Sequence, residues 1–455
     1  MYKESYYNFK EVVNSGDTVL YNTRTGAIAV VEPKFKDKVK EMLACPDSYQ
    51  EDEFFQPLLA NGFLIPDEMN ELQKIRENYE KEFKRKDAIT VVLLPAELCN
   101  FTCEYCFVYN YKGKVMEQET YDGITRYIEH KVEQYYQEYP NGKKIDLKIS
   151  WFGGEPLLER DTIFKYMELI EERFSDSCMI WSDIVTNGYY LTSEVFKKLL
   201  AHKINVLQVT FDGAKEDHNK TRCLHNGEGS YDTLIANIKD IVANLNPNEK
   251  FRFAFRINFM KNTYKKIYGL IDELHDIVGD DPRFFVYCRP VYNFETKRDT
   301  MDQLIDNIFT IEDGLKQQND FSYYIDKKFN RVHVERSVND YLPIPTVQWC
   351  SEDNEYSIIV GADASVYSCD SLIGDESVSI GKMLSDGTIQ FKENVKEWKT
   401  SFFELENNKE CLKCRCLPAC LGCCRRERIM DKRSKPCLFT EQSIKETIQK
   451  FFAKA

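Results

Sequence analysis

Three cysteines, Cys99, Cys103 and Cys106, fall within eight positions of the stretch ELCNFTCEYCFVYN. Spacings of three and two residues are too short for an unstrained disulfide that leaves a third thiol over. An odd trio in a polar, aromatic loop reads instead as a set of metal ligands with one coordination position open. A second group of nine cysteines lies between Cys350 and Cys437. From 411 it runs CLKCRCLPACLGCCRRERIMDKRSKPC, a C-x2-C-x5-C-x3-C array and then a twelve-residue gap, which gives Cys411, Cys414, Cys420, Cys424 and Cys437. Cys350 and Cys369 lie upstream. Pairs of the C-x2-C kind also hold zinc, so spacing alone leaves the metal of the tail undecided. Cys45, Cys178, Cys223 and Cys288 are solitary and read as small buried or incidental residues.

Composition narrows the setting. The chain has 455 residues, 43% of them hydrophobic, with no apolar run near the ~18 residues a membrane span needs. The opening MYKESYYNFK lacks an apolar signal core, so a cytoplasmic location is expected, without a membrane. Sixteen cysteines in such a chain point to metal sites rather than to a disulfide framework. A net charge of −13 argues against nucleic acid as a general partner, because phosphate neutralisation needs clustered Lys and Arg.

The elements that position these residues follow from periodicity. DTVLYNTRTGAIAVV reads as a β-hairpin about NTRTG, followed by helical PKFKDKVKEMLA and EDEFFQPLLANGFL. The charged helix DEMNELQKIRENYEKEFKRKD reads as a connector. Residues 1–88 are therefore expected to form a small hairpin-plus-helices unit. Over residues 89–300 strands alternate with helices: ITVVLL, KIDLKISWF, WSDIVTN, NVLQVTF, FRFAFRINF and RFFVYCRPV, with EVFKKLLAH and YDTLIANIKDIVANL among the intervening helices. Six βα units imply an α/β fold with a parallel sheet, whose working residues gather at the C-terminal strand ends. There stand the cysteine loop, GGEP (Gly153, Gly154, Glu155, Pro156), TNG (Thr186, Asn187), TFDG and RIN. Singly, such motifs are turns; on successive strand ends they would rim one mouth.

C-x3-C-x2-C after the first strand of a βα array, followed by GGEP, resembles the radical S-adenosylmethionine superfamily. The resemblance covers roughly residues 89–300 and implies a partial (β/α)6 TIM-like barrel. It implies a 4Fe–4S cluster on Cys99, Cys103 and Cys106, whose remaining iron is chelated by S-adenosylmethionine, and reductive cleavage to a 5′-deoxyadenosyl radical that abstracts a substrate hydrogen. An external one-electron reductant such as flavodoxin or ferredoxin would supply the electron. Carried over by position, Gly153 and Gly154 allow close backbone approach, with Pro156 closing the motif, and Glu155 accepts from the methionine ammonium. Tyr105 borders adenine, Thr186 and Asn187 reach the ribose, and Arg222 of HNKTR pairs with the methionine carboxylate.

The tail resembles the SPASM extension, with two auxiliary 4Fe–4S clusters and so three clusters in all. Cys350, Cys369 and Cys424 would hold one, and Cys411, Cys414, Cys420 and Cys437 the other. The first lacks an evident fourth ligand, for which Cys416 and Cys423 are spare; Ala364 stands where the family usually has glycine. Expected domains are 1–88, 89–300, a bridging segment 301–345, and 346–455.

The N-terminal unit resembles the winged-helix-like domain that binds leader peptides. A leader would add a strand to an exposed edge of TVLYNTRTGAIAVV. The implied function is maturation of a ribosomally made precursor peptide by a crosslink, specifically a cysteine thioether. Two alternatives stand beside it: a sulfatase-maturating enzyme forming formylglycine, with Asp370 after Cys369 as its acid, and a non-catalytic zinc-stabilised binding protein.

Overall fold

Runs rich in Val, Ile and Phe set the strands of the computed structural model, which describes residues 1–106, 108, 113–291, 305–331, 342–348, 350, 353–405, 408–430, 437 and 439–452. The chain divides into two compact units. One comprises Met1–Arg85, Val334–Glu355 and Lys396–Ala455; the other comprises Lys86–His333 and Tyr356–Val395.

In the first unit β1 (Tyr2–Glu4), β2 (Asn8–Val12), β3 (Thr18–Asn22) and β4 (Ile28–Val31) precede α1 (Lys36–Ala44), α2 (Phe55–Ala60), β5 (Leu64–Pro66) and α3 (Glu71–Phe83). Strands β2, β3 and β4 form an antiparallel sheet, and β1 pairs with β5. The hairpin expected about NTRTG is β3 and β4, but TVLYN is the central strand rather than an edge.

Alternation along β3 explains why. Leu20 packs with Val39, Met42, Phe55 and Phe63 on one face. Val19 and Tyr21 pack on the other with Phe9, Cys416, Ile444 and Ile448. Each such buried side chain contributes about 1.5–3 kcal/mol, so the second face of the sheet requires the C-terminal segment. The N-terminal residues are therefore not a unit by themselves. Nor is α3 only a connector: Ile75, Tyr79 and Phe83, four residues apart, pack with Tyr7, Phe402, Leu417 and Leu421. At its N-terminus Glu71 accepts from Ser5 Oγ at 2.7 Å and pairs with Arg24 at 2.8 Å.

The second unit carries β6 (Ala88–Leu93), α4 (Gln118–Glu138), β7 (Ile145–Trp151), α5 (Arg160–Phe174), β8 (Cys178–Thr186), α6 (Ser193–Ala201) and β9 (Ile204–Phe211). It continues with α7 (Lys215–Thr221), α8 (Tyr231–Ala243), β10 (Arg252–Phe259), α9 (Ile267–Val278) and β11 (Phe284–Pro290). Strands β6 to β11 lie side by side in sequence order, all parallel, the βα array that the periodicity predicts. The arc does not close on itself: β6 pairs on its other side with β12 (Ile358–Val360), also parallel. Strands β13 (Ser365–Tyr367), β14 (Gly381–Met383) and β15 (Ile389–Phe391) then extend the sheet antiparallel.

The segment 356–395 is thus continuous with the barrel sheet instead of with the cysteine-rich tail, where the sequence reading places it. Within the expected bridging segment, helix Ile311–Lys328 packs on the barrel: the rings of Phe321 and Phe259 lie 5.0 Å apart, and Tyr324 OH donates to Asp272 at 2.9 Å. Residues 292–304 and 332–341, which include parts of the expected barrel and bridge, lie outside the described residues. Among the described residues no helix is long and apolar enough to cross a membrane.

Candidate active site

The cysteine loop leaves the C-terminal end of β6 and is fastened on three sides. Glu155 N donates to Leu98 O at 2.8 Å, Thr102 N to Cys223 O at 3.0 Å, and the His225 ring bonds Cys99 O at 2.8 Å. Cys223, solitary in sequence, therefore borders the trio, its sulfur 3.2 Å from Thr102 Oγ1. Burial pushes the Cys99 thiol up to about 11, with Glu155 adding to it, and Cys103 up to about 12, with Arg222 opposing. Neutral thiols in this range release protons when they ligate a metal. Among the described residues no three His, Cys, Asp or Glu side chains are gathered closely enough to hold a single metal ion.

GGEP follows β7 and lies directly beneath this loop. Gly153 has φ +127°, and a Cβ on Gly154 would stand 2.2 Å from Leu98 O and 2.6 Å from Glu97 O. The close approach that the glycines permit is thus to the cysteine loop itself. Glu155 is fully buried. Its carboxylate accepts from Leu157 N at 3.0 Å, Thr186 Oγ1 at 2.6 Å and Asn187 N at 2.7 Å, while Pro156 opens the short helix Pro156–Glu159. Burial raises the Glu155 carboxyl, against those three hydrogen bonds. Three of its four lone-pair directions are already used within the protein.

Thr186 is likewise turned inward, and Asn187 Nδ2 donates to Asn100 Oδ1 at 2.7 Å and to Cys99 Sγ at 3.8 Å. These side chains join the second and third strand ends to the cysteine loop.

Tyr105 sits between the last two cysteines. Its ring packs on Met260 and Val291, and its hydroxyl is the hub of a polar network. It donates to Asp212 Oδ1 at 2.6 Å and accepts from Arg222 Nη1 at 2.9 Å and Asn258 Nδ2 at 3.1 Å. Asp212 Oδ2 also accepts from Thr221 Oγ1 at 2.7 Å. Arg222 is held from behind. The Asp212 N–H donates to His218 Nδ1 at 3.3 Å, which leaves Nε2 to donate to Ser230 Oγ at 3.0 Å, and Ser230 donates to Arg222 O at 2.7 Å. His218 is wholly enclosed, and burial together with the Arg222 charge holds it well below the usual imidazole range, so it is the neutral tautomer.

Asp212 and Asn258 lie in the strand-end motifs TFDG and RIN, where position marks them but nothing local reveals their common partner. His218 and Ser230 carry no sequence signal of their own.

The donor set can be tested against an iron–sulfur cluster with an amino-acid ligand. Among the described residues Arg222 Nε and Asn100 Nδ2 are buried without a hydrogen-bond partner, and the guanidinium rests on the Phe101 ring at 5.6 Å. A buried cation with an orphaned N–H fits an incoming carboxylate, and three thiols on the same loop fit the cluster.

In the tail, Cys411 and Cys414 flank a single turn and Cys420 ends the helix Leu417–Cys420. Arg428 Nη2 donates to Cys411 Sγ at 3.1 Å. Burial, then the charges of Cys423 and Cys437, push the Cys420 thiol up to about 12. Leu421, Gly422 and Cys423 all take positive φ, a strained run between two of the expected ligands. Cys416, one of the two spare candidates, is packed among Phe9, Val19, Tyr21 and Ile448 with Cys414 beside it, and its N–H donates to Cys414 Sγ at 3.4 Å. Cys350 and Cys424 belong to the first unit and Cys369 to the second. Asp370 starts a short helix, 3.9 Å from Cys369 Sγ.

The Radical SAM superfamily profile matches residues 93–274, which span the cysteine loop, GGEP and Arg222. The chain carries a radical S-adenosylmethionine domain. The matched segment is that of a radical S-adenosylmethionine enzyme. The radical SAM cyclopropyl synthase TigE of Paramaledivibacter caminithermalis is 27% identical over 208 residues, 43% of this chain and 41% of that protein. A cysteine-type anaerobic sulfatase-maturating enzyme of Clostridium perfringens is 25% identical over 360 residues, 75% of this chain and 90% of that protein.

Among solved structures, native anSMEcpe with bound AdoMet and Cp18Cys peptide superposes with a TM-score of 0.53 at 20% identity, covering 81% of this chain and 97% of that one. Streptococcus suis SuiB bound to precursor peptide SuiA gives 0.51 at 14% identity, covering 98% and 100%. At these identities the likeness is one of fold, shared by the radical S-adenosylmethionine domain and its flanking regions.

Proposed function

We propose that this chain is a radical S-adenosylmethionine maturase that crosslinks a ribosomally made precursor peptide, forming a thioether from a substrate cysteine. The observation that carries the reading is the buried Arg222, whose guanidinium is tied to Tyr105 between the second and third cysteines of the trio. Cys99, Cys103 and Cys106 would hold a 4Fe–4S cluster, and Arg222 would take the carboxylate of S-adenosylmethionine. Bound there and reduced by a small electron carrier, the pair supplies a 5′-deoxyadenosyl radical for hydrogen abstraction. Asp212, Asn258 and Thr221 fix Tyr105, and Glu155 locks the loops after β7 and β8 to the cysteine loop. The tail cysteines would hold two auxiliary clusters, which give the second electron of thioether formation a destination.

The leader peptide would add to β4. The Asn22 N–H donates to Ala27 O at 2.9 Å, so by antiparallel alternation Ala29 and Val31 face β3 while Ile28 and Val30 turn their N–H and C=O outward. On the opposite edge, Gln449 of the C-terminal helix donates to Val12 O at 2.7 Å.

The test is anaerobic reconstitution with iron and sulfide. Wild type should form 5′-deoxyadenosine, and Cys99→Ala/Cys103→Ala/Cys106→Ala should abolish it while iron falls by about one cluster. Cleavage persisting in the triple variant sinks the assignment. A second reading, sulfatase-type maturation, draws on the relative covered over 90% of its length and on Asp370 beside Cys369. Product mass separates the two: a thioether costs two hydrogens per crosslink, whereas formylglycine formation removes the cysteine sulfur.

A further inference from the structure

Strands β7 to β11 line an open cavity of about 640 Å³, within the range of small-ligand sites. Its wall is made by residues of all five strands, and its polar groups are unevenly charged: Lys148, Arg256 and Arg289 against the single acid Asp183. That acid is already committed, since Asp183 pairs with Lys148 at 2.9 Å and also accepts from Ser150. Tyr287 OH donates to Gln208 Oε1 and so is satisfied within the wall. Two guanidinium groups remain. Arg256 gives its Nε to Asn258 Oδ1 at 2.9 Å, and Arg289 lies over the Tyr287 ring at 5.6 Å. Among the described residues neither has a carboxylate partner.

Register places these two cations at one end of the cavity. Arg256 pairs with Tyr287 and Asn258 with Arg289 across β10 and β11. Asn258 in turn donates to Tyr105 OH at 3.1 Å, so a single side chain separates Arg256 from the cysteine loop. A planar fork that keeps free donors in a cavity is matched by a carboxylate, which it can bind through two parallel hydrogen bonds. We propose that the barrel cavity seats the substrate by a carboxylate held at Arg256 and Arg289, so that the carbons of the residue bearing it face the cysteine loop. The proposal rests on the maturase reading and names its substrate class: a peptide segment presenting either an acidic side chain or a free C-terminus at this point.

The test measures binding to anaerobically reconstituted full-length enzyme, saturated with S-adenosylmethionine, by titration calorimetry. Three peptides are compared: Ac-Gly-Ala-Asp-Ala-Gly-NH2, its Asn counterpart, and Ac-Gly-Ala-Ala-Ala-Gly with a free C-terminus. At least one carboxylate peptide should bind about tenfold or more tightly than the Asn peptide, and which one does so identifies the source of the carboxylate. The advantage should vanish in Arg289→Gln, chosen because Arg256 also holds Asn258. Equal affinities within about twofold, an advantage that survives in Arg289→Gln, or binding by none of the three would overturn the inference. Formation of 5′-deoxyadenosine by the same preparations without peptide reports on the radical reading separately, so the two can fail independently.

Discussion

Tyr105→Phe isolates the hub of the site, because phenylalanine keeps the ring packing on Met260 and Val291 and removes only the hydroxyl. Three hydrogen bonds end at that oxygen, those to Asp212 and Arg222 involving charged partners. Asp212 and Asn258 still meet each other at 3.2 Å in its absence, and Thr221 still serves the second Asp212 oxygen. Among the described residues Arg222 has no such substitute: its Nε is already orphaned, and the Phe101 face remains to it. Charge-assisted bonds are worth about 1.5–3 kcal/mol each, and a buried charge stripped of its partner adds a desolvation cost. With part of the network rescued, the expected loss is about 2–4 kcal/mol, a factor of roughly 30 to 1,000 in local opening. Hydrogen–deuterium exchange of the metal-free protein, read on peptides spanning β9 and α7, should show protection falling by that factor. Protection within about threefold of wild type would refute the reasoning. So would full additivity with Asp212→Asn, since residues of one network couple.

Three further outcomes are expected. Ala364 adopts φ +66° in the turn between β12 and β13, so Ala364→Gly relieves about 1–2 kcal/mol of left-handed strain and returns part of it as chain entropy; a net gain of about 0.5–1 kcal/mol should raise the unfolding midpoint, and a lowered midpoint speaks against it. Val30→Pro deletes an outward N–H of β4 without touching the β3–β4 ladder, so precursor affinity should fall about tenfold or more while exchange protection of β3 is unchanged; equal affinity removes β4 as the docking edge. His218, held neutral by burial, binds a proton only in the unfolded chain, whose imidazole titrates near ~6.5. Its stabilisation is therefore complete above that pH and is lost on acidification at up to about 1.4 kcal/mol per pH unit, a slope that should flatten in His218→Asn and that is disproved if both proteins share it.

Strand periodicity foretold β6 to β11 because each strand satisfies its hydrophobic pattern locally, with one helix per crossover. It did not foretell that β12 continues the same sheet, since IIV is three residues long and its partner β6 lies far away in sequence. The N-terminal hairpin was legible, yet its second apolar face is covered by Ile444 and Ile448, which no local window includes. Charged neighbours hid the Ile75, Tyr79 and Phe83 stripe of α3 in the same way. At the site, residue types located the cysteine loop and GGEP, but not which atoms are occupied. Glu155 reads as a ligand contact from its motif, and the structure engages three of its lone-pair directions inside the protein.

That internal commitment bears on how a loop carrying three thiols is kept in place. An isolated loop pays conformational entropy for every ordered residue, and within ELCNFTCEYC the backbone ties are few: Cys106 N–H to Cys103 O at 3.3 Å and Phe101 N–H to Cys99 Sγ at 3.4 Å. The order comes from neighbouring strand ends. The Glu155 N–H and Asn187 grip it from β7 and β8, Asp212 and Arg222 from β9 and α7, and Asn258 from β10. Because these grips arrive from separate, rigidly packed strands, loosening one leaves the others to hold the loop. Tyr105 differs, since the grips from β9, α7 and β10 all end on its one hydroxyl. Residues of the Glu155 side and the Tyr105 side should therefore act nearly independently of each other, whereas those converging on Tyr105 should behave as a single unit.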